Sequence, residues 1–389
     1  MQEIVIVSAK RTPIGSLLGQ FASLSAPQLA AYAISAAIDK ALNIDEVIMG
    51  CVLQAGIGQA PARQAAHFAG LAASIPATTI NKMCGSGMKA VMYAYDAISA
   101  GSAKLILAGG MESMTNAPYL IKKGRQGYRL GHDKIYDHLF LDGLEDAYIH
   151  GKLMGSFADD TAQHFNITRE DQDKFAETSL KRALKAQESN LFADEIVPIT
   201  VKGPKNTATL VTQDEHPDPA KIAKISQLKP VFNANGTVTA ASSSAISDGA
   251  ASLLITTDEY ALKQKLPILA KIKGHASYGA APEWFTTAPI YAIKKLLTQI
   301  NWEIEEVDLF EINEAFAVVP IVAMQELKIS AKSVNINGGA CALGHPIGAS
   351  GARIIVTLLH SLLKNKLKRG VASLCIGGGE ATALAIEII

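Results

Sequence analysis

The chain repeats itself, and that repetition limits its fold more than any other feature. A Gly/Cys-rich turn, a helical stretch of about four turns, a basic turn and an apolar run carrying Gly-Gly occur in that order near residues 81–110 and again near 335–379. A shorter echo pairs Ile44-Asp45-Glu46-Val47-Ile48-Met49 with Ile304-Glu305-Glu306-Val307-Asp308-Leu309. The period is too long for a solenoid and predicts two similar halves. Within each, a short apolar run follows a helical pattern: 105–108 after 88–100, and 372–376 after 354–363. That alternation favours a layered α/β fold. With 49% hydrophobic and 19% charged residues over 389 positions, the chain supplies a core for two compact units.

From about residue 116 to 241 the character changes. Charged and turn-forming residues rise, as in Lys122-Lys123-Gly124-Arg125 and Asp214-Glu215-His216-Pro217-Asp218-Pro219. One amphipathic helix is expected over 169–189, with Thr168 as N-cap and Asp171 closing a variant capping box. A long insertion in an α/β core is expected to cover a binding site.

Thirty-six basic and 36 acidic side chains cancel, with no run of five or six like charges. That argues against a nucleic-acid partner or a polybasic membrane surface, and leaves room for a local patch facing an anionic ligand. No apolar run approaches the ~18 residues of a membrane span. Cys51, Cys84, Cys341 and Cys375 form no C-x-x-C pair, so reduced thiols are expected in place of a zinc ribbon or a disulfide framework. The first residues run straight into Ile4-Val5-Ile6-Val7 without a signal pattern, and the last four carry no targeting tripeptide. A cytoplasmic location is the expectation.

Four constellations carry chemistry. In Asn81-Lys82-Met83-Cys84-Gly85-Ser86-Gly87, the cysteine precedes a helix, where free N–H groups and the macrodipole favour a thiolate; a lowered thiol pKa is expected. A cysteine of this kind, taken alone, is more often an inert packing residue. In the glycine-rich stretch 337–351, Pro346 holds His345 extended and is expected in the first turn of the next helix. The imidazole there suits a base or an oxyanion donor. Cys375-Ile376-Gly377-Gly378-Gly379 ends an apolar strand and exposes a thiol beside backbone N–H groups, fitting a proton carrier next to an anion hole. Asn313-Glu314-Ala315-Phe316 follows a strand over 307–312; the Asn313 amide either binds a water or carbonyl oxygen, or caps a helix. Together these are parts for acyl transfer through a covalent intermediate. No His/Asp/Glu spacing suggests a metal site, and no cofactor is expected.

These blocks resemble those of the thiolases, and the likeness runs along essentially the whole chain. Ser8-Ala9-Lys10-Arg11-Thr12-Pro13-Ile14-Gly15, Gly109-Gly110-Met111-Glu112-Ser113-Met114 and Ser247-Asp248-Gly249-Ala250 extend it. The resemblance implies a five-layer αβαβα core, its N-terminal half made of residues 1–117 and 242–268 and its C-terminal half of 269–389. A loop domain at 118–241 would bind coenzyme A. It implies acyl-CoA substrates, a homodimer or homotetramer, and condensation of two acetyl-CoA to acetoacetyl-CoA and coenzyme A, reversibly. Cys84 would carry the acyl group, and Cys375 would move the α-proton. His345 would activate Cys84 and, with a water on Asn313, stabilise the enolate. The N–H groups of Cys84 and Gly377 would form a second anion hole. Ser244, Phe316, Met154, Phe232 and Ala240 are the coenzyme A contacts it suggests.

The sequence departs from that pattern in places. Leu153 stands where a histidine often precedes Met-Gly, Pro217 stands near an expected arginine, and Ser242-Ser243-Ser244 replaces Asn-Ala-Ser. Cys341 occupies a commonly aliphatic position and is expected to pack as a small hydrophobe. Three other readings share parts of the site: a degradative 3-ketoacyl-CoA thiolase with a longer acyl pocket, a decarboxylating condensing enzyme, and a non-catalytic acyl-CoA carrier.

Overall fold

Alternation along the strands sorts the core into three large apolar clusters, with two smaller ones beside them. On the first strand, β1 (Ile4–Arg11), Val5 and Val7 face one way and Ile4 and Ile6 the other, as the period of two requires. The computed structural model describes residues 2–38, 42–203 and 207–389. After β1 come α1 (Ala26–Ala37), β2 (Glu46–Gly50), α2 (Pro61–Phe68), β3 (Ala77–Ile80), α3 (Ser86–Ser99) and β4 (Leu105–Ser113). The insertion carries α4 (Met154–His164) and α5 (Arg169–Glu188), and β5 (Ser247–Thr257) returns to the core. The second half comprises β6 (Ala270–Gly279), α6 (Ala288–Ile300), β7 (Leu309–Ile312), α7 (Val318–Leu327), the short α8 (Ala340–Leu343), α9 (Ile347–Asn365), β8 (Arg369–Ile376) and β9 (Glu380–Glu387).

Strand order shows the two halves to be copies. One runs β2-β4-β5-β1 and the other β7-β8-β9-β6, each with one parallel pairing followed by two antiparallel ones. They join edge to edge where Val5 and Ile6 of β1 pair antiparallel with Lys271 and Ala270 of β6. Helices α1 and α2 cover one outer face, α6 and α7 the other, and α3 with α9 fill the middle. These are five layers, αβαβα. The two central helices approach closely because Gly87 and Gly351 carry no Cβ; one added at Gly351 would lie 2.4 Å from the Met88 nitrogen.

The short sequence echo is corrected in register. Asp45 Oδ2 accepts the N–H groups of Lys104 and Leu105, and Asp308 Oδ2 accepts those of Lys368 and Arg369. Asp45 is therefore equivalent to Asp308, three positions beyond Glu305, which the motif alignment pairs with it. The residues 304–306 that spoil the alignment form a 3₁₀ turn before β7. Helix α5 carries the expected capping box, with Thr168 Oγ1 accepting the Asp171 N–H. Helix α9 is long and apolar enough, by length and composition, to cross a membrane; here it is mostly buried between the two half-sheets.

Candidate active site

Cys84 sits on a turn tied down by its neighbours. Met83 adopts a left-handed conformation (φ 47°), and its N–H donates to Asn81 Oδ1 at 2.9 Å. The Ser86 hydroxyl, at the first residue of α3, accepts from the Lys82 N–H and donates to the Met83 carbonyl. The turn thus holds Cys84, half-buried, on the seam between the halves, where the N–H of Gly377 from the opposite half meets its sulfur. The expectation of a lowered thiol pKa is overturned. Burial pushes the thiol up to about 11, against the pull of the Gly377 N–H and its own, and the Glu112 carboxylate raises it further. Removing water costs the full charge of a thiolate, whereas a helix end returns only partial charges.

His345 offers a ring nitrogen that a protonated thiol could use as a base. It follows α8 and precedes Pro346, which is the N-cap of α9 and lies just outside the first turn expected for it. The Ser350 hydroxyl donates to the Pro346 carbonyl at 2.9 Å, so its oxygen accepts from His345 Nδ1 at 2.5 Å. The proton is thereby fixed on Nδ1, and the Nε2 lone pair is left buried with no partner among the described residues. Burial, and after it the positive charge of Arg353, lowers the imidazole to about 3, so it is neutral at ordinary pH. The His345 N–H donates to Ala245 O and Ser247 Oγ, which fixes the backbone beneath the ring.

Asn313 directly follows β7, its N–H bonded to Ser373 O on β8. Both polar atoms of its side chain are buried without a partner among the described residues. It is no helix cap, because α7 begins at Val318 behind Ala317. An amide in this state is poised to hold a water or a carbonyl oxygen. Cys375, on β8, is fully buried; burial pushes its thiol well above the ordinary range, and the nearby Cys84 sulfur adds to the shift.

Four of the suggested coenzyme A contacts form one wall. Met154 opens α4 with its sulfur beside Gly377, 3.3 Å from where a Cβ would stand. The Phe232 ring lies over Gly155 and meets Phe316 edge-on at 5.8 Å. Ser243 bridges to Phe316, and the Ser244 N–H donates to Ala315 O. Ala240 stands apart, lining a cavity of about 300 Å³ with Lys221, Lys224, Leu228 and Cys341. Leu153 caps α4, half-buried. Cys341 is half-buried and packs against the C-terminal cluster, its sulfur 3.6 Å from Glu314 O.

Several supporting residues lie inside the motifs without a role of their own in the sequence reading. Glu112 accepts the N–H groups of Val52, Leu53 and Gly348, joining β4 to the loop after β2 and to the start of α9; burial raises it to about 7. Its signal is a lone acid in the apolar run 105–114. Glu314 accepts from Ser179, Asn335 and the Cys341 N–H, tying α5 to the turn below His345. Ser350 and Ser247 have no signal of their own.

Comparison with known proteins places the chain as a whole. Residues 4–259 match the family model "Thiolase, N-terminal domain" and residues 266–388 match "Thiolase, C-terminal domain". Acetyl-CoA acetyltransferase of Escherichia coli is 48% identical, covering 100% of this chain and 99% of its own. Acetyl-CoA acetyltransferase 2 of Arabidopsis thaliana is 47% identical, with 100% and 98% covered. The crystal structure of the Bacillus anthracis acetyl-CoA acetyltransferase superposes with a TM-score of 0.97 at 39% identity, covering 100% of this chain and 99% of that one.

Proposed function

The chain belongs to the thiolase family, and from that premise we propose that it condenses two molecules of acetyl-CoA to acetoacetyl-CoA and coenzyme A, and catalyses the reverse thiolysis. The observation that carries the mechanism is the Gly377 N–H meeting the sulfur of Cys84, with Cys375 close by in the same half as Gly377. His345 Nε2 takes the Cys84 proton, and the thiolate attacks the thioester carbonyl. Coenzyme A leaves with the proton of Cys375. The Cys375 thiolate then removes an α-proton from a second acetyl-CoA, restoring its thiol, and the enolate attacks the acetyl group on Cys84. The Cys84 thiolate that departs recovers its proton from His345. Charge gathers on two different oxygens, so two donor sets are needed: the Cys84 and Gly377 N–H groups for the acyl carbonyl, and His345 with a water on Asn313 for the enolate.

Met154, Phe232, Ser244 and Phe316 line the approach of the pantetheine arm to Gly377, and Ala240 extends that approach toward Lys221 and Lys224. Self-association into dimers or tetramers accompanies the activity. It is supported by β3, an edge strand open to pairing, and by Tyr119, Ile121, Leu130, Ile135, Tyr148 and Ile149, all more than half exposed.

Intact-mass analysis after incubation with acetyl-CoA tests the reading. An acetyl adduct is expected on the native chain and not on Cys84→Ala; its absence from the native chain would reduce the protein to a carrier. Turnover of acetoacetyl-CoA is expected to exceed that of a longer 3-ketoacyl-CoA, and the opposite preference would move the assignment to degradation.

A further inference from the structure

Two turns from opposite halves pass each other at the Cys84 sulfur, one rising in sequence as the other falls. Gly85 meets Ile376 so closely that a Cβ on the glycine would lie 2.4 Å from Ile376 Cδ1. Next, the Cys84 sulfur meets the Gly377 N–H. Beyond it, Lys82 Nζ reaches Glu380 Oε2 at 2.6 Å. These contacts are successive rungs of one seam. Gly377–Gly379 is the three-residue loop of the β8–β9 hairpin, closed by the Ile376–Glu380 pair. Residues 377–379 are all glycine, two of them at positive φ, so the loop has no side chains to brace the N–H that it presents; its far end is held where Gly379 O accepts the Ala280 N–H. The Lys82 backbone is fixed at both its polar groups, through Ser86 Oγ and the Gly85 N–H.

We propose that Lys82 and Glu380 are a positioning pair, an ionic clamp across the two halves that holds the glycine loop in register with the Cys84 sulfur. The inference rests on the proposed role of Cys84 and Gly377 in acyl transfer. Neither residue touches the reacting atoms; both act through the geometry of the Gly377 N–H. The pair is partly exposed, with side chains 21% and 43% accessible, so its influence is modest and weakens in salt. Lys89 on α3 also feels Glu380. Glu380→Gln therefore removes the anion that both lysines share.

The test uses the full chain with E380Q, K82M and the charge swap K82E/E380K. Two rates are read: alkylation of Cys84 by iodoacetamide, and its acetylation by acetyl-CoA. Each single variant is expected to slow both by about three- to fivefold, with KM for acetyl-CoA unchanged and melting within a few degrees of the native chain. The swap is expected to restore both rates. Raising salt from about 0.02 to about 1 M should bring the native chain down to the E380Q rate while leaving E380Q flat. Native rates in E380Q, or a swap slower than either single variant, would overturn the clamp. Should the native chain be alkylated but never acetylated, the functional reading fails, and the alkylation series still decides the clamp.

Discussion

A thiol held near 11 is protonated at neutral pH, so the proposed acyl transfer at Cys84 must begin with a proton transfer and not with a ready thiolate. His345, lowered to about 3, stays neutral and competent as a base at every pH well above that value. What would make Nε2 the working nitrogen of the proposed mechanism is Ser350, which holds the proton on Nδ1. Ser350→Ala frees the ring to carry its proton on either nitrogen. We expect acetylation of Cys84 to fall about tenfold with KM for acetyl-CoA little changed, read by rapid-quench mass analysis; an unchanged rate would remove Ser350 from the mechanism. Cys84 and His345 are legible in the sequence because both sit among glycines that only close approach requires. The thiol pKa is not, because the depth of burial belongs to the tertiary fold. Ser350 is silent for a similar reason: its partner is reached across a helix cap that no periodicity encodes.

Elements meet at this site through single carboxylates, and Glu112 is the clearest of them. It gathers the loop after β2, the end of β4 and the first turn of α9. Burial raises its pKa from 4.5 to about 7 in the folded chain. The folded state therefore binds this proton more tightly than the unfolded chain does. The stabilisation is fully present below 4.5 and is lost as pH rises through 7, on the order of 3 kcal/mol at most. Glu112→Gln removes the titration. The stability gap between native chain and variant should widen in favour of the native chain as pH falls from 8 to about 5, measured by urea unfolding. A gap that narrows over that range would mean that the backbone donors win over burial and hold the carboxyl ionised. Helices and strands themselves are largely readable, α5 with its cap most of all. The echo of Ile44–Met49 finds the right pair of strands but misses their register, because the informative residues are the capping aspartates and not the apolar run.

At the scale of the whole molecule, the repeat gives the two halves, while the junction of β1 with β6 rests on two residue pairs and leaves no mark in the sequence. The insertion divides its work. Met154 lies beside Gly377, Phe232 packs on Phe316, and Ala240 lines the cavity with Lys221 and Lys224. Residues 119–149 do otherwise: Leu130 is 99% exposed and Tyr148 70%, apolar surface that a lone chain gains nothing by showing to water. If that surface is buried between copies, carboxylates placed there must be desolvated on association, at several kcal/mol for an unpaired charge. Leu130→Asp combined with Tyr148→Asp is therefore expected to lower the assembly by one step in sedimentation-velocity experiments at micromolar concentration. Acetylation of Cys84 per chain should stay within about twofold of native, because neither residue lines the seam between Cys84 and Gly377. A native chain that sediments as a monomer would refute association altogether. An assembly unchanged by both aspartates would shift the contact to the open edge of β3, where backbone pairing needs no apolar side chains.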